Sequence, residues 1–471
     1  MSFYNLINPK SYAVIGASTN PRSGSYRFIE ALINNGYKGK IFPINPKIEE
    51  LQGLKTYPSI ESVNEPIDYV LIAVPADLVP EEVRKCVKIN VKFIVIFTSG
   101  FGESGNKNLE EEIKTAIKGS NTRILGPNCI GVFSSESKIA YFSDQLILEE
   151  GNISFISQSG GLTRTLIWVG YTRDFHFRTA ISLGNQIDIT IEELIDFFLV
   201  DEKTDIIAAY IEGIKNGKEF YRILKKNNGK KPIIILKCGR SQSGKRAIRS
   251  HTGALASSDH LIESIMNQTN TILVQTFEEL TDTILMVEKL RNDSLNGKNV
   301  AVINSGGGLS VELTDICESY GFNVIQLSPE SVKELAEILP TVNTILSNPL
   351  DLGASGFDPE IFGKVINVIS RDPKIDVILT VIEVERFSLL NKRYQTEDIG
   401  EIYVKNIYDN NVKNKPIVLI SPKSWESVPN FIFYSNFQDA LHRIKIPVFP
   451  SSESAIRALN KVIDYHLSLK K

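Results

Sequence analysis

The chain lacks a dominant charge. Fifty-two lysines and arginines face 55 acidic residues, a formal net charge of −3. There is thus no basic footprint, and nucleic acid is not expected as a partner. No apolar run approaches the ~18–20 residues of a membrane helix, so no membrane association is expected. The opening MSFYNLINPK has no basic stretch leading into an apolar one, which reads against a secretory signal. Cysteine is sparse: Cys86, Cys129, Cys238 and Cys317 are far apart and form no CxxC pair. Such spacing argues against a disulfide frame or a zinc site, so no metal ligands are expected, and it fits reduced thiols in a cytoplasm. No Pro/Gly/Ser-rich linker and no low-complexity tract interrupts the chain.

What is present is ordinary globular material: 471 residues, 42% hydrophobic and 23% charged. That length suggests about three domains. Short Val/Ile-rich runs alternate with longer amphipathic stretches, the rhythm of buried parallel strands in βαβ units. The first set is YAVIG (12–16), KIFPIN (40–45), YVLIAV (69–74), FIVIF (93–97) and RILG (123–126). The second is NISFIS (152–157), DIIAAYIEG (205–213) and KPIIILK (231–237). The third is NVAVIN (299–304), FNVIQL (322–327), DVILTVIE (376–383) and KPIVLIS (415–421). The expected α/β domains are residues 1–145, 146–295 and 296–471.

The second and third sets repeat one another. SFISQSGGLT resembles VINSGGGLS, YIEG around Glu212 matches VIEV around Glu383, and KPIIIL matches KPIVLI. A strand, a glycine turn, a helix and a later glutamate thus occur twice.

In YAVIGASTNPRSGS (12–25) a strand runs into a Gly/Ser loop ahead of a helix. Glycines let a backbone approach a phosphate, and a helix N-terminus supplies N–H donors and a positive dipole end. A tight strand–helix turn needs glycine too, so the loop alone leaves both readings open. The second strand ends Ile44-Asn45-Pro46-Lys47. A nicotinamide site wants an acid there for the ribose hydroxyl; a lysine suits a phosphorylated ribose, as in coenzyme A or NADP, or is simply a surface lysine. Val74-Pro75-Ala76-Asp77, Thr98-Ser99-Gly100-Phe101-Gly102 and Gly126-Pro127-Asn128-Cys129 also end strands, where open parallel sheets bind ligands.

Of the five histidines, His251 lies in KCGRSQSGKRAIRSHTGALASSD (237–259), preceded by Lys237, Arg240, Lys245, Arg246 and Arg249. The stretch reads as a mobile, electropositive loop before a helix starting near Ser257-Ser258-Asp259. His251 is either a nucleophile that carries phosphate or a surface-loop histidine. The turns SQSGG (157–161) and NSGGG (304–308) each follow a strand, open a helix and offer N–H groups to an oxyanion. Glu212, ending its strand, either bonds one imidazole nitrogen and leaves the other to attack or is an ordinary strand-end carboxylate.

These motifs resemble the α subunit of the ADP-forming acyl-CoA synthetases, relatives of succinyl-CoA synthetase, over nearly the whole chain. The resemblance rests on GASTNP, INPK, VPAD, TSGFGE, GPNCIG, SQSGG, SLGNQIDI, YIEGI, SGKRAIRSHTGALASSD, NSGGGLS and SNPLDLGAS. It implies an N-terminal CoA-binding Rossmann domain followed by two flavodoxin-like domains of the succinyl-CoA-synthetase type. It implies an acid-thiol ligase that interconverts acyl-CoA, ADP and phosphate with carboxylate, ATP and CoA. His251 would be the phosphohistidine and Glu212 its partner. Ser159, Gly160 and Gly161 would form one phosphate turn, and Gly306, Gly307 and Gly308 the other. Gly16, Ala17, Ser18, Arg22, Lys47, Val74, Pro75, Ser99, Gly100 and Asn128 fall where the family holds CoA. Two motifs depart from the family: Gly306-Gly307-Gly308-Leu309 stands where GGPG is common, and Arg22-Ser23-Gly24 where a lysine is common.

The family also needs an ATP-grasp module for ATP or ADP with Mg²⁺, and no P-loop or comparable loop occurs here. A separate ATP-grasp β subunit is therefore expected, in a hetero-oligomer of α2β2 type, with a small carboxylic acid as substrate. The competing reading is a non-catalytic CoA-binding or sensor protein on the same scaffold. An NADP-dependent oxidoreductase would leave the His251 segment unexplained.

Overall fold

The computed structural model describes residues 3–142, 145, 147, 149–244, 246, 259–293, 295–423 and 427–470. The chain divides into two compact units, residues 1–276 and 277–471.

The first unit carries two sheets. Strands β1 (Ser11–Ile15), β2 (Lys40–Ile44), β5 (Tyr69–Ile72), β6 (Phe93–Ile96) and β7 (Arg123–Leu125) form a parallel sheet in the order β2-β1-β5-β6-β7. A small antiparallel hairpin, β3 (Glu50–Leu51) with β4 (Leu54–Lys55), follows β2. β1, β5 and β6 are buried along their whole lengths, which is why their sequences are continuous apolar runs without alternation.

The second sheet has the order β13-β12-β11-β9-β10-β8. Its members are β8 (Gly131–Ser134), β9 (Ile153–Ser157), β10 (Phe177–Ser182), β11 (Ile206–Ile211), β12 (Ile233–Lys237) and β13 (Ile272–Val274). All pair in parallel except β8, which lies antiparallel against β10 at the edge. β10 is absent from the strands read in the sequence because Arg178 interrupts its apolar run. The guanidinium is buried, 2% exposed, and is held by Asp201 at 2.8 Å and Glu136 at 3.1 Å.

The second unit holds the parallel sheet β15-β14-β16-β17-β18, formed by β14 (Val300–Asn304), β15 (Leu350–Asp351), β16 (Val377–Val381), β17 (Ile417–Ile420) and β18 (Val448–Phe449). Counted along the chain, the parallel strands of all three sheets run 2-1-3-4-5. In each, the crossovers diverge between the first and third strands, the place where doubly wound sheets leave a crevice.

One expected strand is missing. FNVIQL (322–327) contributes only an isolated bridge between Asn299 and Asn323. Beside β14 its place is taken by the Asn348 side chain. The amide accepts from Val302 N at 2.9 Å and donates to Val300 O at 2.7 Å and Ile325 O at 2.8 Å. These bonds satisfy the backbone of β14 that a neighbouring strand would otherwise have to pair.

Among the described residues no helix is long and apolar enough to cross a membrane. Nor, among them, is any group of three or more His, Cys, Asp or Glu placed to hold a metal ion.

Candidate active site

The first sheet brings its loops together at the carboxyl ends of the strands. Gly16 turns the chain out of β1 at φ +87°, and a Cβ there would sit 2.7 Å from Ala73 O, so only glycine fits. The N–H groups of Gly16 and Ala17 both donate to Ile44 O, at 3.1 and 3.2 Å. Asn45 returns the tie, its amide donating to Ala17 O at 2.6 Å and accepting from Lys47 N at 2.8 Å. Beyond the turn, Ser18 Oγ accepts from Asn20 N at 3.1 Å and Asn20 Oδ1 from Arg22 N at 3.0 Å. Ser23 then caps the helix Gly24–Asn34 by accepting from Tyr26 N. The backbone after β1 is thus fixed, while the Arg22 and Lys47 side chains remain exposed cations.

After β5, Val74 O accepts from Thr98 Oγ1 of the β6 loop at 2.6 Å. Asn128, at φ +60°, donates its N–H to Thr98 O at 3.0 Å. The ten sequence-derived CoA residues therefore lie on five loops at one edge. Pro75 and Ser99 are exposed there, and Ser18, Val74, Gly100 and Asn128 are half-buried.

The second sheet repeats the arrangement between β9 and β11. Ser159 caps the helix Gly160–Arg173, its hydroxyl accepting from Leu162 N at 3.4 Å. Among the described residues, a Cβ on Gly161 would meet nothing within 4 Å. Register pairs Ser157 with Tyr210, which brings the Ser159 turn alongside Glu212. The bridge between them is Gln158, 5% exposed. Its Oε1 accepts from Gly213 N at 2.9 Å and from Glu212 N, and its Nε2 donates to Gly213 O at 2.7 Å. Glu212 is buried, 4% exposed, and accepts from the Tyr210 hydroxyl at 3.2 Å. Burial pushes the Tyr210 phenol far above its ordinary range, which keeps it a donor.

Lys237 was read both as the last residue of the strand KPIIILK and as the first cation of the electropositive stretch. It is buried at the end of β12, donating to Glu212 O at 2.8 Å and to Cys238 O. An ammonium that closes β12 and β11 onto one another belongs to the fold beneath the site. Arg240 pairs with Glu263 at 2.5 Å. His251, Lys245 and Arg249 lie outside the described residues, as do Ser257 and Ser258; the helix that follows is described from Asp259 to Gln268.

In the third sheet Gly306 caps the helix Gly307–Ser319 without a side-chain bond. Asn304 Nδ2 steadies the turn through Gly306 O at 2.8 Å. Among the described residues, a Cβ on Gly306 or Gly308 would meet nothing within 4 Å, and one on Gly307 would come within 3.5 Å of an Asp351 carboxylate oxygen. Glu383, at the position corresponding to Glu212, is half-buried and accepts from Arg386 Nε at 2.7 Å. The two repeats therefore share topology and differ in chemistry: one glutamate is sequestered under a tyrosine, the other is neutralised by an arginine.

Four residues that assemble these loops have no role among the sequence expectations. Gln158 joins the turn to Glu212. Lys215 donates to Asn185 O at 3.0 Å and to Gln186 O, and burial lowers its pKa. Asn185 and Glu103 bond one another across the two sheets. Their signals were the SLGNQ and TSGFGE motifs, which reveal polar residues but not that these meet.

Residues 10–135 match the CoA-binding domain family, and residues 150–287 the succinyl-CoA ligase-like flavodoxin domain family. The chain is 38% identical to the ADP-forming acetate–CoA ligase of Methanocaldococcus jannaschii over 344 residues, 73% of this chain and 48% of that protein. It therefore spans about half of that relative. It is 32% identical to the α subunit of ADP-forming acetate–CoA ligase I of Pyrococcus furiosus over 467 residues, 98% of this chain and 97% of that one. A solved dinucleotide-forming acetyl-coenzyme A synthetase 1 of Ca. Korarchaeum cryptofilum, in complex with phosphate and ADP, superposes with a TM-score of 0.85 at 29% identity, covering 100% of this chain and 98% of that one. Relatives that match most of the chain are ligases, which leaves the reading of a non-catalytic CoA binder without support. With three 2-1-3-4-5 sheets, a buried glutamate beside a glycine turn and 32% identity to an α subunit over nearly the whole chain, the chain belongs to the ADP-forming acyl-CoA synthetase family.

Proposed function

We propose that the chain interconverts acyl-CoA, ADP and phosphate with a carboxylate, ATP and CoA, and that it carries the phosphoryl group on His251. The observation that supports this best is the pairing of the Ser159 turn with buried Glu212 through Gln158. A helix N-terminus favours an anion, and a buried carboxylate beside it holds an imidazole in one tautomer.

In the thioester-consuming direction, a phosphate oxygen adds to the thioester carbonyl and the CoA thiolate leaves, giving an acyl phosphate. The His251 imidazole attacks phosphorus, the bond to the acyl oxygen breaks, and the carboxylate departs. An oxygen of the ADP β-phosphate then takes the phosphoryl group from His251. Ser159, Gly160 and Gly161 stabilise charge on the transferring group at one end of this path. The turn of Gly306, Gly307 and Gly308, in the second unit, is assigned as a further phosphate-binding turn. Glu212 accepts one imidazole N–H and steadies the phosphoimidazole.

CoA fits the first sheet, where Gly16 leaves room only for backbone and Lys47 and Arg22 present cations to the phosphorylated ribose and pyrophosphate. The acid is a small carboxylic acid, with acetate the candidate named by the relatives. Nucleotide and Mg²⁺ belong on an ATP-grasp β subunit, the two chains forming a hetero-oligomer of α2β2 type. We place the reaction in the cytoplasm, since all four cysteines are free thiols and three are buried.

The test is to incubate the chain with acetyl-CoA and labelled phosphate, without ADP. An acid-labile, base-stable label on His251 is expected. His251→Ala should abolish it and leave CoA binding intact, and Glu212→Gln should reduce it in a folded protein. A label that persists in His251→Ala, or that maps to His176 or His260, would refute the assignment.

A further inference from the structure

The tip of the loop after β6 faces the proposed CoA edge with Ser99 and Gly100, and its backbone is not held by its own strand. Gly100, at φ +103°, donates its N–H to Glu103 Oε1 at 2.6 Å, and Phe101 N donates to the same oxygen at 3.1 Å. Gly102 N donates to Glu110 Oε1 at 3.1 Å. Two carboxylates thus pin three consecutive N–H groups. Two such anions side by side repel one another; the turn's other ties come from its own loop, Asn106 Nδ2 donating to Gly100 O at 2.8 Å and the N–H groups of Ser104 and Asn106 to Phe101 O at 2.9 Å.

What holds them together comes from the next sheet. Asn185, just past the end of β10, directs one amide nitrogen at both acids: Nδ2 lies 2.5 Å from Glu103 Oε2 and 2.9 Å from Glu110 Oε1. The two protons of a single amide meet two carboxylates, each in a charge-assisted hydrogen bond. Those bonds and the N–H groups of Gly100 and Phe101 hold the Glu103 carboxyl below its usual range even though burial acts to raise it.

Asn185 is itself delivered rigidly. Its N–H donates to Pro127 O at 2.9 Å, and its carbonyl accepts from Lys215 Nζ at 3.0 Å. Gly184 before it sits at φ +57°, where a Cβ would fall 2.0 Å from Pro127 O. Lys215 is three residues beyond Glu212, and Asn216 N donates to Glu192 Oε1 at 2.9 Å. The amide is therefore anchored to the loop that follows Glu212.

We propose that Asn185 is a positioning residue for CoA: by bridging Glu103 and Glu110 it fixes the Ser99–Gly102 turn in its binding shape, so that the first domain's ligand loop is completed by a residue of the second. The inference rests on the CoA reading given above. The site has no need of an amide for the fold of β10, which ends at Ser182; the two carboxylates are what it serves.

The experiment is calorimetric titration of CoA into the purified full-length chain and its variants, with thermal melts in parallel. Asn185→Ala removes both donors and should weaken CoA binding at least tenfold while shifting the melt by only a few degrees. Asn185→Asp adds a third carboxylate and should weaken it further. Combining N185D with E103Q restores one amide and two carboxylates, and should recover affinity to within about threefold of wild type. A general structural defect would instead make the two substitutions additive. If N185D does not fold, N185A carries the test alone. Folded N185A that binds CoA as tightly as wild type overturns the inference, as does a double variant no better than N185D. Wild-type chain that fails to bind CoA overturns the CoA reading, and this inference with it.

Discussion

Gln158 and Gly213 bond one another twice, side-chain oxygen to N–H at 2.9 Å and side-chain nitrogen to carbonyl at 2.7 Å. A glutamine thereby behaves as a fragment of strand, pairing with the backbone beyond the point where β9 and β11 have separated. Replacing it with leucine would strand the N–H groups of Glu212 and Gly213 and the Gly213 carbonyl in a buried place. With unsatisfied buried groups costing about 1–3 kcal/mol each, Gln158→Leu should lose roughly 3 kcal/mol in chemical denaturation. Gln158→Glu keeps both acceptor contacts and loses the donor. It should fold, and should form less phosphohistidine because a second carboxylate then stands beside Glu212.

Gly184 and Gly161 make a matched pair of alanine tests. At Gly184 the backbone is left-handed and the new methyl would meet Pro127 O; at Gly161 it would meet nothing among the described residues. Gly184→Ala should cost at least ~2 kcal/mol of stability and weaken CoA binding through the displaced Pro127–Asn128 loop. Gly161→Ala should melt within a degree or two of wild type. Equal melting of the two variants would contradict the packing described here.

Lys47 lies exposed at the end of β2, its backbone fixed by Asn45. Lys47→Glu reverses a charge where we place the phosphorylated ribose. CoA affinity should fall roughly tenfold, about 1.4 kcal/mol, and dephospho-CoA affinity much less. NAD(P) binding tighter than CoA in the same titration would exclude the assignment.

Asp293 offers a pH test in the second unit. Burial raises its carboxyl to about 6, with Lys445 acting in the opposite direction. A folded-state value above that of the unfolded chain means the native state holds the proton more tightly. The stabilisation is therefore complete below about pH 4 and is lost as pH rises toward about 6. The group is partly solvated, so the effect is discounted to about 1 kcal/mol. Asp293→Asn should be more stable than wild type at pH 7.5, with the advantage vanishing near pH 4, as read from urea midpoints.

Most of the fold was legible because parallel strands buried on both faces are written as unbroken apolar runs. β2, β5, β6, β7, β9, β11, β12, β14, β16 and β17 sit within runs the sequence marks, and β1 begins one residue ahead of its run. The short strands β3, β4, β8, β13, β15 and β18, of two to four residues, escaped because they are too brief to form a run; the other misses were structure made by side chains in place of backbone. FNVIQL looks like a strand, but Asn348 already bonds the edge it would pair with. β10 hides because its buried arginine has two carboxylate partners far away in sequence. At the site, Glu212 and the glycine turns could be picked out because residue type and position suffice. Lys237 was placed correctly at the end of its strand by the KPIIILK run, but nothing local reveals that its ammonium turns inward to Glu212 O and does not join the electropositive stretch.

β8 gives the two domains of the first unit a peculiar kinship. The chain leaves β7 at Leu125 and by Gly131 is already running antiparallel along β10. A strand that precedes the second block in sequence is thus the selvedge of that block's sheet. A recombination event that swapped the CoA-binding block at residue 145 would import a foreign hem, and the recipient would fold only if that hem matched Thr179–Ser182. Successful exchanges between relatives should therefore fall upstream of Gly131, or carry β8 and β10 together.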